Sequence, residues 1–237
     1  MSLLLQYPPY GERDNDLFLQ EINMLTENHL AGCGEYSRIW KGWKPADRVE
    51  DVPFLHVGLF KRIELKTDVN NIVFKRSAHS SSTTGSSSRI ALDQKSSELQ
   101  TESVTKILSN FLGTEKRPLL ILDSVKSLRR RGELSARVAA AMSLRPLASD
   151  IVFLLQDPED PKSINWDVLR ETLFCSERLL VYGFSWMLWL AWGRAQFPED
   201  IKDLLQQKET FFVHSGGWKR LESIKVKKRE FDQAILM

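Results

Sequence analysis

The densest concentration of reactive oxygen atoms lies in residues 77–88, SAHSSSTTGSSS, where nine of the twelve residues are serine or threonine. A hydroxyl-rich turn with Gly85 at its tip offers short O–H donors and free backbone N–H groups, a chemistry suited to phosphate oxygens. Flexible linkers share this composition. This stretch, however, follows directly on an apolar run, and the apolar segment RIAL resumes at residues 89–92. It is not a Walker loop, because no lysine lies within it and no Gly-Lys-Ser/Thr follows. His79 flanks the stretch and reads either as a phosphate contact or as a solvated turn residue. A second polar cluster ends the run TFFVHSGG (210–217), where His214 and Ser215 precede the pair Gly216-Gly217 and Lys219 follows. Lys219 can reach a phosphate or carboxylate, or simply remain solvated. No two histidines have metal-ligand spacing, and Cys33 and Cys175 are too few for a cysteine-rich site. A protein metal centre is therefore not expected.

These residues need elements to hold them. Five apolar runs of strand length, NIVFK (71–75), PLLILD (118–123), IVFLLQ (151–156), RLLVYGF (178–184) and TFFVHSGG (210–217), alternate with helix-length segments at 101–112, 132–143, 165–174 and 185–195. The runs are continuously apolar, as strands buried on both faces are, and helices between them imply crossover connections. The pattern predicts an α/β fold, a mainly parallel sheet with flanking helices. In such sheets ligands sit outside the carboxyl ends of the strands. Several runs end there in small or polar residues, at Asp123-Ser124, at Gly183-Phe184-Ser185 and at Ser215-Gly216-Gly217. Together with the hydroxyl-rich stretch after NIVFK, these ends are expected to converge on one crevice. Upstream, residues 14–32 predict an amphipathic helix with Asp14 or Asn15 as N-cap and Gly32 or Gly34 as the stop. The expected division is a helical, Trp/Pro-rich N-terminal segment (1–70) packing on an α/β core (71–237).

The bulk composition narrows the partners. The 237 residues carry 33 Lys+Arg against 31 Asp+Glu, a net charge of +2, which argues against a dedicated nucleic-acid binder. The most apolar stretch, 179–192, is too short for a membrane span and reads as core. The N-terminus lacks the pattern of a secretory signal, and the low cysteine count points to a reducing cytoplasm. Trp186, Trp189 and Trp192 recur every three residues, giving an aromatic stripe that either packs a core or walls an acyl site.

The run HSSSTTGSSSRIALD, with DVPFLHVGLFK (51–61), ILDSVKSLRRRGELSAR (121–137), VYGFSWMLW (181–189) and FVHSGGWKRLE (212–222), resembles the LuxE-type acyl-protein synthetases, which activate fatty acids in bacterial luminescence. They are relatives of the adenylate-forming enzymes, whose phosphate loop reads roughly S-S/G-T-T-G-x-x-S, and the expected fold resembles their large N-terminal domain. The resemblance implies ATP- and Mg²⁺-dependent activation of a carboxylic acid as an acyl adenylate, then transfer to a thiol or another acceptor. It assigns Thr83, Thr84 and Gly85 to the phosphates with Ser81 and Ser86 in support, and Gly216 and Gly217 to the adenylate. It also offers Phe184, Trp186 and Trp189 as an acyl pocket and His214 and Lys219 as catalytic candidates. Ser82 replaces the usual glycine of the loop. The tyrosine-glycine-x-threonine/valine-glutamate motif, the ribose-binding aspartate, the lysine-bearing domain and the acyl-accepting cysteine of such enzymes have no match here. The expectation is therefore a second polypeptide that supplies them, contacted by the tail SIKVKKREFDQAILM through Ile235 and Leu236. The alternative is a non-catalytic acyl- or nucleotide-binding module, or the truncated remnant of such an enzyme.

Overall fold

A computed structural model describes residues 2–68, 74–79, 89–129 and 140–236, with backbone alone at 74–79, Arg89, Arg129, Lys219 and Arg220. The stretch 80–88, and with it Ser81, Thr83, Thr84, Gly85 and Ser86, lies outside the described residues. The chain divides into two compact units, one up to Asn110 and one from Phe111.

In the first unit, α1 (Asn15–Gly32) begins where expected. The Asp14 carboxylate accepts the Leu17 N–H at 2.9 Å, capping an otherwise orphaned donor. The helix ends at Gly32, and α2 (Gly34–Ile39) follows after Cys33. The Trp/Pro-rich connector is pinned to α1 by a reciprocal pair. Asn23 donates its amide to the Ala46 carbonyl and accepts the Ala46 N–H, both at 2.9 Å. Two strands, β1 (Phe74–His79) and β2 (Arg89–Asp93), pair antiparallel, and Asp93 accepts the Ser96 N–H at 2.7 Å at the start of α3 (Gln94–Leu112). The run that begins at Asn71 was expected in the parallel sheet, and here the structure differs. Only nine residues separate His79 from Arg89. A connection that short closes an antiparallel pair, whereas parallel neighbours need a crossover of a dozen residues or more.

The second unit carries the parallel sheet. Its strands β3 (Arg117–Ile121), β4 (Ala148–Phe153), β5 (Arg178–Phe184) and β6 (Glu209–Ser215) lie in the order β4-β3-β5-β6, every pair parallel. Residues of both parities are buried on the central strands: Leu119, Leu120 and Ile121 on β3, and Leu179, Leu180, Val181 and Tyr182 on β5. This explains runs with no polar alternation. Leu120, Leu179 and Val181 belong to one cluster with Leu169 and Leu173 of α4 (Trp166–Cys175) and Ile201 of α5 (Glu199–Gln206). Asn165 caps α4 by accepting the Val168 N–H at 3.2 Å.

After β5 a single helical turn (Ser185–Met187) widens into a π-helix (Leu188–Gly193). Leu188, Trp189, Ala191 and Trp192 are all buried there, and Trp192 meets Phe197 and Phe212 edge-on at 5.0 and 5.6 Å. Two of the three expected stripe residues, Trp189 and Trp192, are thus core, and Trp186 is half-buried against it. The C-terminal tail also differs from expectation. It forms α6 (Lys228–Ile235), which buries Phe231 and Ile235 in the chain's own core. Ile235 is 4% exposed and is not available as an anchor for a partner, while Leu236 remains outward. The glycine at 193 admits this helix, since a Cβ there would stand 3.2 Å from the Ala234 methyl. No helix among the described residues is long and apolar enough to cross a membrane.

Leu120 is fully buried at the centre of this cluster. Leu120→Ala is expected to lower the unfolding free energy by about 2–5 kcal/mol, read from the urea midpoint, because the cavity it leaves cannot be refilled.

Candidate active site at the strand ends

The order β4-β3-β5-β6 places the topological switch point between β3 and β5, whose chain-ends diverge to opposite sides. Beyond β3, Asp123 and Ser124 are buried. The Asp123 carboxylate accepts the Ser124 N–H at 2.8 Å and the Ser127 hydroxyl at 2.6 Å, so it organises the 3₁₀ turn at Val125–Arg129. Beyond β5 and β6 the register pairs Gly183 with His214 and Phe184 with Ser215. Side chains alternate between faces, so the two ends carry two polar contacts on opposite sides. On one face the Tyr182 hydroxyl and Ser215 Oγ lie 2.6 Å apart. Burial pushes the Tyr182 phenol up, which keeps it protonated.

On the other face, Ser185 Oγ stands 2.9 Å from His214 Nδ1 and 3.2 Å from the Gly216 carbonyl oxygen. A carbonyl only accepts, so when the serine proton goes to Gly216 O the serine oxygen accepts from His214 Nδ1–H. Nε2 is then left with its lone pair. His214 remains exposed as a residue, but its ring packs tilted on Phe231, centroids 5.1 Å apart. That desolvation lowers its pKa, with Asp232 opposing and Lys228 reinforcing. Gly216 adopts φ +73°, a left-handed conformation, and a Cβ there would lie 3.2 Å from the Phe184 ring. At Gly217 a Cβ would meet nothing within 4 Å, so that side of the backbone is open to a ligand.

The structure therefore brings together His214, Gly216, Gly217 and Phe184 from the expected set. Lys219 opens the 3₁₀ segment Lys219–Ile224 two residues further on. Trp189 lies in the core, edge-on to Trp218 at 6.4 Å. Neither Cys33, which is buried in the first unit, nor the exposed Cys175 at the end of α4 belongs to this cluster. Sequence reasoning missed the roles of Tyr182 and Ser185. The signal was available in the two-residue period of the runs, which puts Ser185 and His214 on one face once Gly183 is set opposite His214. Among the described residues no group of three or more His, Cys, Asp or Glu side chains could hold a metal ion.

The model of the acyl-protein synthetase family, LuxE, matches residues 10–237 of the chain. The chain belongs to the LuxE acyl-protein synthetase family. No curated protein and no solved structure matches it. The match extends through α6, so the helix that carries Phe231 lies within the matched residues.

Two predictions follow from the local chemistry. Gly216→Ala is expected to cost about 1–3 kcal/mol, measured by chemical denaturation, since alanine is strained at positive φ and its methyl would press on Phe184. Burial is also the main cause that lowers His29 in the first unit, as it is for His214. An unfolded histidine titrates near about 6.5, so below that pH the unfolded chain binds protons before the folded one does. Stability should thus be full above about pH 6.5 and fall as the medium is acidified towards about pH 5. Urea titrations should show a weaker fall in the double variant His29→Gln/His214→Gln.

Proposed function

We propose that this LuxE-family chain takes part in ATP-dependent activation of a carboxylic acid, most plainly a fatty acid, and in passing the acyl group to a thiol or similar acceptor. The geometric observation that carries the reading is the chain Gly216 O···Ser185 Oγ···His214 Nδ1 at the parallel strand ends. It prepares Nε2 as a proton acceptor. In the transfer step the acceptor's S–H proton passes to Nε2, the sulfur bonds the acyl carbon, and the acyl–phosphate oxygen bond breaks with AMP as leaving group. Ser185 is a positioning residue in this scheme, holding the tautomer. The open side of Gly217 suits the approach of a nucleotide to the backbone. The hydroxyl-rich stretch, with Thr83, Thr84 and Gly85 flanked by Ser81 and Ser86, is assigned to the phosphates on the resemblance of its sequence, and Mg²⁺ would arrive on those phosphates. Phe184, against Gly216, borders the acyl carbonyl in this scheme, and Lys219 is retained as a second catalytic candidate.

The adenine motif and the lysine-bearing domain are not among these 237 residues. The decisive assay is therefore carboxylate-dependent ATP–pyrophosphate exchange, run with the chain alone and with a polypeptide that carries those motifs. Exchange is expected in the second case. Its absence from both, with folded protein, would leave an acyl- or nucleotide-binding module. With activity in hand, His214→Ala should slow acyl transfer to a thiol by roughly 10²-fold or more and slow exchange far less. Ser185→Ala should give a smaller loss with a shifted pH profile, as expected for a residue that acts through the imidazole.

A further inference from the structure

The first unit holds a cavity of about 1100 Å³, at the upper end of ligand-site volumes. Its walls come from a 3₁₀ segment at the N-terminus (Leu3–Gln6), α1, residues 55–67, β2 and the first turns of α3. The lining is chiefly aliphatic, with Leu5, Ile22, Leu25, Leu65, Leu92 and Leu99 among its side chains. Leu, Ile, Met and Ala side chains outnumber the rings of Phe18, His29, Tyr36 and Phe60, so the apolar part of the surface suits a flexible methylene chain better than a flat ring. Protein interiors are otherwise close-packed. Here Leu25 is 48% and Met24 62% exposed, and Thr26 is the one residue of α1 that is buried. The apolar side of the helix thus faces a space and not a packed partner within the unit. The walls are secured by polar contacts: Glu21 receives the Ser2 hydroxyl and the Leu3 N–H, and His29 pairs with Thr67. Lys66, Thr67 and His29 supply a polar margin. Strand β2, one of the walls, follows directly in sequence on the hydroxyl-rich stretch.

We propose that this cavity binds the hydrocarbon chain of a fatty acyl substrate. The inference rests on the carboxylate-activating reading for the identity of its ligand.

The test uses the full chain and no ATP. A dansyl-labelled undecanoic acid is titrated in, then displaced by saturated acids from octanoic to palmitic. Affinity should tighten about fourfold per added methylene until the cavity is filled. Ala91→Phe and Leu99→Trp, which narrow two different walls, should weaken palmitate at least tenfold while sparing octanoate. Cys175→Ser, at an exposed position outside both sites, should leave the series unchanged. An ω-diazirine fatty acid photolysed on the unmutated chain should label peptides from 15–32 and 89–99, which decides the matter even if both filling variants unfold. Label confined to 178–218, label nowhere, or a chain-length series unmoved by both Ala91→Phe and Leu99→Trp in folded protein would overturn the proposal. Because no ATP is present, labelling at 15–32 without any pyrophosphate exchange would sink the activation reading and leave this site standing. Exchange with label elsewhere would do the reverse.

Discussion

Burial of β3 and β5 on both faces is the constraint on which the rest of the second unit depends. With Leu119, Leu120 and Ile121 all shielded from water, β3 holds a polar side chain only at its start, where buried Arg117 donates to the Leu112 carbonyl at 2.6 Å. An unpaired polar group there would cost several kcal/mol. Polar chemistry is displaced to the points where the chain leaves the sheet, at Asp123, Ser185 and Ser215. Those points need tight exits. Gly183 meets Leu122 and Leu188 so closely that a Cβ would lie 3.2–3.3 Å from them, and Gly216 turns left-handed beneath Phe184. The hydrogen bonds of Ser185 and Tyr182 then join two neighbouring exits into one rigid rim.

Much of this was legible from residue order. The four runs of the parallel sheet stand out because double burial removes alternation, and α1 and α4 begin beside Asp14 and Asn165, whose side chains cap them. Three features were not legible. The hairpin of β1 and β2 looks locally like any apolar strand, and its antiparallel partner is decided by the length of the connection. Helices α5 and α6 have charged residues at half of their positions. Only a narrow apolar line, such as Phe231 and Ile235, reaches the core, so in sequence α6 reads as a tail whose apolar residues meet a partner. The π-helix depends on what packs against Trp192 and Gly193 from elsewhere in the chain, and no local propensity records that. At the site, His214 and the glycine pair were visible as types. The direction of the serine proton required coordinates, because it depends on a carbonyl oxygen 31 residues away.

The two units answer different physical demands. A polar rim serves steps in which charge moves, and it requires fixed donors and an open backbone. The cavity proposed for the acyl chain presents instead a wide wall of mainly aliphatic side chains with polar groups among them. The secured edges of that cavity, through Glu21 and Thr67, fit this, since a chain of single bonds is held by enclosure and by few directional contacts.

The opposite ends of the strands are built from other material. Arg178 at the start of β5 pairs with Glu115 and, at 2.6 Å, with Glu209, and Lys208 pairs with Glu177 at 3.0 Å. These ions sit at the amino ends of the strands, a full strand length from the polar rim. Surface pairs of this kind contribute at most about 1 kcal/mol each at ordinary temperature and weaken with salt. Charges at that edge can therefore be exchanged to adjust stability in small steps without touching the hydrogen bonds of the polar rim.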